Sequence, residues 1–288
     1  MTELVKSEDF RLRVRAGVAY AKAAELEGEA CPRCGGTGYA PIEAEAGEPQ
    51  IFRRCTCRDA ARRASLYNRA QVPGRLMGCR LGWDDGNQLK GAYLPNDPSQ
   101  KQALDAMRAF VQALKTPEGE GPKGVILSGK PGVGKSHLLA AACREITLGL
   151  GLRARYVEFF HLMADLRDGY SRGRSDQELI GDLCEVEVLA LDELGKGRGT
   201  EWEHYILDEV ISRRYNAGLP MISATNYPLR QAAPRAQSGP YRETGTEGFR
   251  ASLISESVEA RVGARIFSRL AETCVMIEVD GSDWRRKG

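Results

Sequence analysis

Residues Gly129-Lys130-Pro131-Gly132-Val133-Gly134-Lys135-Ser136 carry the spacing G-x-x-x-x-G-K-S, directly after the apolar run Val125-Ile126-Leu127. A short buried strand running into a helix is the setting in which this spacing binds phosphate. The backbone must curl until successive N–H groups point into one concavity, which residues without Cβ tolerate best. A helix starting near Lys135 adds the positive end of its dipole to that anion hole. Lys135 supplies a point charge for the outer phosphates, and the Ser136 hydroxyl is placed to ligate Mg²⁺. A glycine-rich turn with a surface lysine is the bland alternative, but it gives no reason for the preceding strand. The pattern implies a bound nucleoside triphosphate.

Further on, Val186-Glu187-Val188-Leu189-Ala190-Leu191 ends in Asp192-Glu193. This is the pattern of a buried strand with two carboxylates at its C-terminal end, where open α/β sheets bind ligands. Asp192 is placed to hold the Mg²⁺ hydration shell and Glu193 to take a proton from an attacking water. An acidic pair can also simply cap the turn after a strand. Beside a phosphate loop, the carboxylate at 193 favours hydrolysis. Met221-Ile222-Ser223-Ala224 is a further strand, and Thr225-Asn226 after it form a polar end that could reach the water and the γ-phosphate.

The chain has eight cysteines. Cys79, Cys143, Cys184 and Cys274 lie among apolar neighbours and read as small core residues. Cys31-x-x-Cys34 and Cys55-x-Cys57 are two close pairs, the arrangement of a zinc ribbon in which each pair gives two thiolates to one tetrahedral ion. Closed four-thiolate coordination folds a small module and leaves no open catalytic position. Reduced free thiols are the alternative. Nothing points to secretion, so a disulfide framework is not expected.

These motifs need elements to hold them. A chain of 288 residues with 42% apolar content has enough material for a large core. No apolar stretch approaches the roughly 20 residues that span a bilayer. Residues 1–10 are too charged for a secretory signal, so a cytoplasmic location is expected. The net charge of +2 conceals a basic block between Ile51 and Arg80, with eight arginines against Asp59 alone. It suits a nucleic-acid footprint, and equally a solvated face or a contact for an acidic protein. Apolar spacing predicts a helix over residues 7–27, then the zinc module at 31–57 and a basic helix to Ala70. Residues 71–98, rich in Gly and Pro, read as a linker. A helix with Ala103, Met107, Phe110 and Leu114 inward leads to alternating strands and helices, an α/β fold with a parallel sheet covered on both faces. Residues 230–249 read as a mobile loop. There is no internal repeat.

Three more segments complete a pattern. Arg261, Arg265 and Arg269 follow at four-residue intervals, expected to form one face of a helix. Asp283-Trp284-Arg285 lies near the end of the chain, and Glu201-Trp202 and Arg214-Tyr215 follow the Leu191-Asp-Glu-Leu-Gly195 strand end. Together with the phosphate loop, these resemble the AAA+ ATPase module of bacterial DnaC/DnaI helicase loaders, which the transposition helper IstB shares. The resemblance covers residues 99–288. The Cys31-x-x-Cys34-Gly-Gly-Thr-Gly-Tyr and Val72-Pro73-x-Arg75 stretches also resemble the front end of zinc-bearing loaders.

The resemblance implies an AAA+ motor at 99–288, a linker at 71–98, and a small helical, zinc-ribbon-like region at 1–70 that holds a replicative DNA helicase. It implies ATP, Mg²⁺ and structural Zn²⁺ as cofactors, hydrolysis to ADP and phosphate, and a homo-oligomer with ATP between subunits. Asn226 matches the sensor that aligns the lytic water. Arg265 matches the arginine finger that reaches a neighbour's nucleotide, with Arg269 the runner-up. Arg285 matches the second sensor, while Arg213 and Arg214 leave one family arginine ambiguous. Residues 160–174 fall where initiator-type relatives carry an extra helix against single-stranded DNA, which would make Arg167, Arg172 and Arg174 DNA contacts. The expected activity is ATP-dependent loading of the helicase onto single-stranded DNA. Two alternatives are an IstB-like helper acting on duplex DNA and a zinc-dependent adaptor that uses nucleotide only as a switch.

Overall fold

In a computed structural model, residues 10–23, 34, 37, 39–41, 52–82, 91–115, 121, 123–229 and 257–284 are described. Arg285, Cys31 and the 230–249 segment lie outside them, as does the side chain of Cys57.

Five parallel strands form the centre: β5 (Gly124–Ser128), β6 (Ala154–Glu158), β7 (Val188–Asp192), β8 (Met221–Thr225) and β9 (Val275–Glu278). Their order across the sheet is β6-β7-β8-β5-β9. β5, β7 and β8 are buried along their whole length, which is why their sequences are nearly unbroken apolar runs. Alternation splits them between two cores. Val125, Leu127, Val188 and Ala190 face one cluster, while Ile126, Leu189 and Leu191 face the other. The first cluster is closed by helices α1 (Thr56–Ala70), α2 (Pro98–Ala113) and α3 (Lys135–Arg144). The second is closed by α4 (Phe159–Ser171), α5 (Asp176–Glu185), α6 (Glu201–Asn216), α7 (Val258–Val262) and α8 (Ala264–Thr273). The expected helix before β5 is α2, with Ala103, Met107 and Phe110 fully buried. Asp97 caps it through Ser99 N at 2.8 Å, with Pro98 in the first turn, where a missing N–H costs nothing.

The N-terminal region departs from expectation. Residues 10–23 form no helix. They make a hairpin of β1 (Phe10–Arg15) and β2 (Val18–Ala23) around Ala16-Gly17, both at positive φ. Left-handed geometry at both central residues is what a two-residue hairpin turn requires. Phe10, Val14, Val18 and Ala21 fit a helical stripe, but Arg11, Arg13 and Arg15 also alternate at period two, and the tight turn decides between them. Ala19 N donates to Val72 O at 2.8 Å, and Asn68 brackets Ala21 through its N–H and C=O. The open edge of β2 is thereby satisfied.

Residues 71–98, expected as a linker, are packed where they are described. Val72, Leu81 and Tyr93 are buried in the same cluster as Phe10, Tyr67 and the phosphate-loop strand. The basic block is largely consumed within the chain. Arg62 donates to Gly151 O at 2.9 Å, and Arg63 to the carbonyls of Leu148 and Gly149. These carbonyls end the π-helical turn after α3, the negative end of that helix, where cations are favoured. α1 is thus pinned to the segment that follows α3, with Arg63 also paired to Asp59.

Candidate nucleotide site

The phosphate loop crosses from the C-terminal end of β5 into α3 at the point where the sheet order reverses between β8 and β9. Gly132 and Gly134 take positive φ, and their surroundings leave no room for side chains. A Cβ on Gly132 would sit 1.9 Å from the Asp283 carboxylate, and one on Gly134 would sit 2.4 Å from the Tyr93 ring. Lys135 Nζ donates to Gly129 O at 2.6 Å, Lys130 O at 2.8 Å and Asn226 Oδ1 at 2.9 Å. The lysine is 6% exposed, so its charge lies in the loop and not in solvent.

Asp192 ends β7 facing this loop. Its carboxylate accepts from Tyr156 Oη at 2.6 Å, from Glu193 N at 2.9 Å and from the Ser136 side chain. Burial raises its pKa above the usual carboxylate range despite those donors. Burial and the neighbouring carboxylate push Tyr156 far up, so its hydroxyl stays a donor. A buried carboxylate held at a cost beside a serine hydroxyl is the donor set for a divalent cation that has a partly hydrated shell. Glu193 follows in left-handed geometry, φ 56°, and both its oxygens meet Lys196 Nζ at 2.8 and 2.9 Å. Strain at a non-glycine residue turns this carboxylate out of the strand and toward the cavity.

The cavity has a volume of about 600 Å³. Lys135, Ser136, Asp192, Glu193 and Asn226 line it, bringing together the residues expected from the two motifs and β8. Leu76, Tyr93, Leu94 and His137 add an apolar and aromatic part to the lining. Tyr93 Oη donates to Val133 O at 2.9 Å, and its ring meets His137 edge-on at 5.3 Å. Burial lowers the His137 pKa, keeping the imidazole neutral. A cavity lined by phosphate-binding groups and by apolar and aromatic side chains fits a triphosphate joined to an aromatic base. The apolar lining is what sequence reading missed, since Leu76, Tyr93 and Leu94 come from the presumed linker. Only Arg75, in the Val72-Pro73-x-Arg75 stretch, gave a signal. It lines the cavity and pairs with Glu158 at 2.6 Å. The C-terminal segment closes the loop from outside, with Trp284 N donating to Gly132 O at 3.1 Å.

The three arginines expected on one helix face are divided. Gly263 breaks the helix, and Arg261 turns inward, donating to Gly195 O at 3.0 Å and to Gly197 O, with its guanidinium over Tyr227. It therefore fixes the loop after Glu193. Arg269 is bound to Asp208 at 3.0 Å and to Ser212, with 22% of its side chain exposed. Arg265 keeps 70% exposed, with Asp208 at 3.3 Å, and lies outside its own chain's cavity. Arg213 and Arg214, between which the sequence left one family arginine ambiguous, differ in burial. Arg214 donates to the carbonyls of Leu183, Val186, Glu187 and Pro220, and burial lowers its pKa to about 10. Arg213 pairs on the surface with Glu209.

Arg167 pairs with buried Glu203 at 2.5 Å and lies over Trp202, while Arg172 and Arg174 are exposed just after α4, Arg172 paired with Asp168 at 2.9 Å and Arg174 donating to Glu178 O at 3.1 Å. In the cysteine module, Cys34 and Cys55 are both buried and share a small cluster with Ala40. They flank the hairpin of β3 (Tyr39–Pro41) and β4 (Phe52–Arg54). Among the described residues, no group of three or more potential ligands surrounds a metal position. Cys79, Cys143, Cys184 and Cys274 are buried as expected, and burial raises Cys143 to about 12. No helix among the described residues is long and apolar enough to cross a membrane.

Residues 99–234 match the family of IstB-like ATP-binding proteins. The replicative helicase loader DnaC of Escherichia coli strain K12 is 33% identical over 129 residues, 44% of this chain and 50% of that protein. DnaC of Buchnera aphidicola from Acyrthosiphon pisum is 28% identical over 42% of this chain and 48% of its own length. The chain spans about half the length of the curated relatives it matches. A crystal structure of the DnaC helicase loader superposes with TM-score 0.52 at 25% identity, covering 72% of this chain and 99% of that one. The five-stranded parallel sheet is thus a fold shared with that loader, with the cavity at its switch point.

Proposed function

We propose that this chain is an ATPase that loads a replicative DNA helicase onto single-stranded DNA. The observation that carries the reading is the set Lys135, Ser136, Asp192, Glu193 and Asn226 around one cavity in a DnaC-like sequence. ATP and Mg²⁺ fit that set. Gly129, Lys130, Pro131, Gly132, Val133 and Gly134 cradle the phosphates, Lys135 neutralises their charge, and Ser136 and Asp192 hold the cation. Magnesium supplies charge neutralisation at the transferring phosphoryl group. Glu193 takes the proton of the attacking water once Lys196 yields it, and Asn226 orients that water. Arg285 contacts phosphate from its own subunit, and Arg265 serves a neighbour's site in a homo-oligomer.

In the same reading, Cys31, Cys34, Cys55 and Cys57 bind one structural zinc, and residues 1–70 hold the helicase. Arg172 and Arg174, with Arg167 behind them, meet single-stranded DNA from the end of α4. The test is steady-state ATP hydrolysis with and without single-stranded DNA, together with capture of the replicative helicase on the immobilised chain. Stimulated turnover and helicase retention are expected. ATP binding without turnover would leave a nucleotide-switched adaptor, and no retention of helicase would overturn the loader assignment.

A further inference from the structure

Arg75 is a cation of the nucleotide cavity that neither of the two sequence motifs supplies. It stands on the short helical turn Gly74–Leu76, between α1 and α2. Its Nη2 donates to Glu158 Oε1 at 2.6 Å. The arginine side chain is 58% exposed and lines the cavity, whereas Glu158 is 15% exposed and stands outside that lining. Glu158 ends β6 in register with Asp192, the end of β7. Asp192 is close enough for its charge to act on the guanidinium. Arg75 thus feels two carboxylates, one that binds it and one that faces the phosphate loop.

Strand order says which part of a nucleotide this cation would meet. β5 and β6 lie on opposite sides of β7 and β8. Lys135 enters from the β5 side, Arg75 is held at the β6 side, and Asp192 and Asn226 mark the ends of the strands between. A phosphate loop cradles the inner phosphates and reaches the terminal one with its lysine. A triphosphate laid from the loop toward Asp192 therefore presents its terminal group to Arg75. A guanidinium has five N–H donors in a fixed fork, and the bond to Glu158 does not exhaust them. Phosphate oxygens fit that fork as a carboxylate does, and the terminal group of a triphosphate carries more charge. The pair with Glu158 is partly open to water, so it holds the arginine only weakly. When the arginine leaves, Glu158 keeps His161 Nδ1 at 3.1 Å as a second partner. We infer that Arg75 exchanges Glu158 for the terminal phosphate of ATP, and that this exchange lets the cavity distinguish ATP from ADP. The exchange presupposes the ATP reading of the cavity and adds to it a contact and a competitor for that contact.

Calorimetric titration of the full chain with Mg²⁺ and either ADP or a non-hydrolysable ATP analogue tests it. Arg75→Ala should weaken the analogue about tenfold, as expected for one hydrogen bond to a charged group, and leave ADP within about twofold. Glu158→Gln removes the competing charge and keeps the shape. It should tighten the analogue by about three- to tenfold, with ADP again within about twofold. Arg75→Lys should keep part of the preference, because a point charge still reaches phosphate without the fork. If Arg75 only fastened its turn to β6, both Arg75→Ala and Glu158→Gln would loosen the same contact and move both nucleotides in the same direction. Opposite signs confined to the analogue are what the exchange alone gives. ADP affinity reports the folding of the site. Should Arg75→Ala lose ADP binding, Arg75→Lys and Glu158→Gln decide through their ratio of analogue to ADP affinity. Equal loss of both nucleotides in Arg75→Lys overturns the exchange and leaves the ATP reading standing. So does analogue binding that Glu158→Gln leaves unchanged or weakens. A wild-type chain that binds neither nucleotide overturns both.

Discussion

Lys135 and Glu193 sit in the same cavity but fail in different ways when changed. Lys135→Ala removes the charge buried beneath the loop, so ATP binding should fall below detection by calorimetry. Glu193→Gln keeps the shape and removes the base. It should bind ATP as the wild type does, with turnover reduced by about 10²–10⁴ as expected for a general base. Wild-type turnover in Glu193→Gln would remove that role from Glu193. Asp192 allows a prediction about stability. Its folded pKa is raised above the unfolded value, so ionising it opposes folding at any pH above the raised value. That cost fades as pH falls through the raised pKa toward the ordinary carboxylate range. Asp192→Asn should therefore raise the Tm of the nucleotide-free chain at neutral pH, with the gain shrinking in acid. The Tyr156 hydroxyl can accept as well as donate, so it keeps a partner. Calorimetry at two pH values checks the sign, and a lower Tm at neutral pH would contradict the burial argument.

At the scale of elements, the β3–β4 hairpin places Cys34 before its first strand and Cys55 directly after its second. Three-residue strands bury too little to hold themselves together, so a metal is the natural source of the missing stability. One zinc per chain is expected under reducing conditions, and chelation should expose the thiols of this module to a thiol reagent. The motor should keep its ATP affinity, because α1 is anchored independently through Arg62 and Arg63. Metal analysis well below one equivalent would count against the zinc site.

At the scale of the whole molecule, Arg265 distinguishes a self-assembling motor from a monomeric one. Its side chain is mostly exposed and lies outside the lining of its own cavity, as a finger serving another copy's nucleotide would. Arg265→Ala should bind ATP normally and lose stimulated hydrolysis, by up to about 10³–10⁵ if it matches fingers measured in GTPases. Mixing it with Lys135→Ala should restore part of the activity, since the intact loop of one chain then meets the intact finger of the other. Activity independent of protein concentration, with no rescue in the mixture, would exclude a shared site.

The phosphate loop, the Asp192-Glu193 strand end and Asn226 were legible because each is a local pattern whose chemistry constrains a few consecutive residues. The parallel sheet was legible for the same reason, since strands buried on both faces must be written as apolar runs. The tertiary structure decided what depends on partners distant in sequence. It turned residues 10–23 into a hairpin, because the edge of β2 finds Val72 and Asn68, and no periodicity within fourteen residues records that. It put Arg75, Leu76 and residues 92–94 in the lining of the cavity, although the glycines and prolines around them read as a linker, because Leu81 and Tyr93 are buried in the same core as α2 and α3. It also divided the arginine stripe. Gly263 lets the chain turn, so Arg261 faces the carbonyls of Gly195 and Gly197 while Arg265 faces solvent. Spacing fixes which residues can share a face, but burial and hydrogen-bond demand from the rest of the chain fix whether they do.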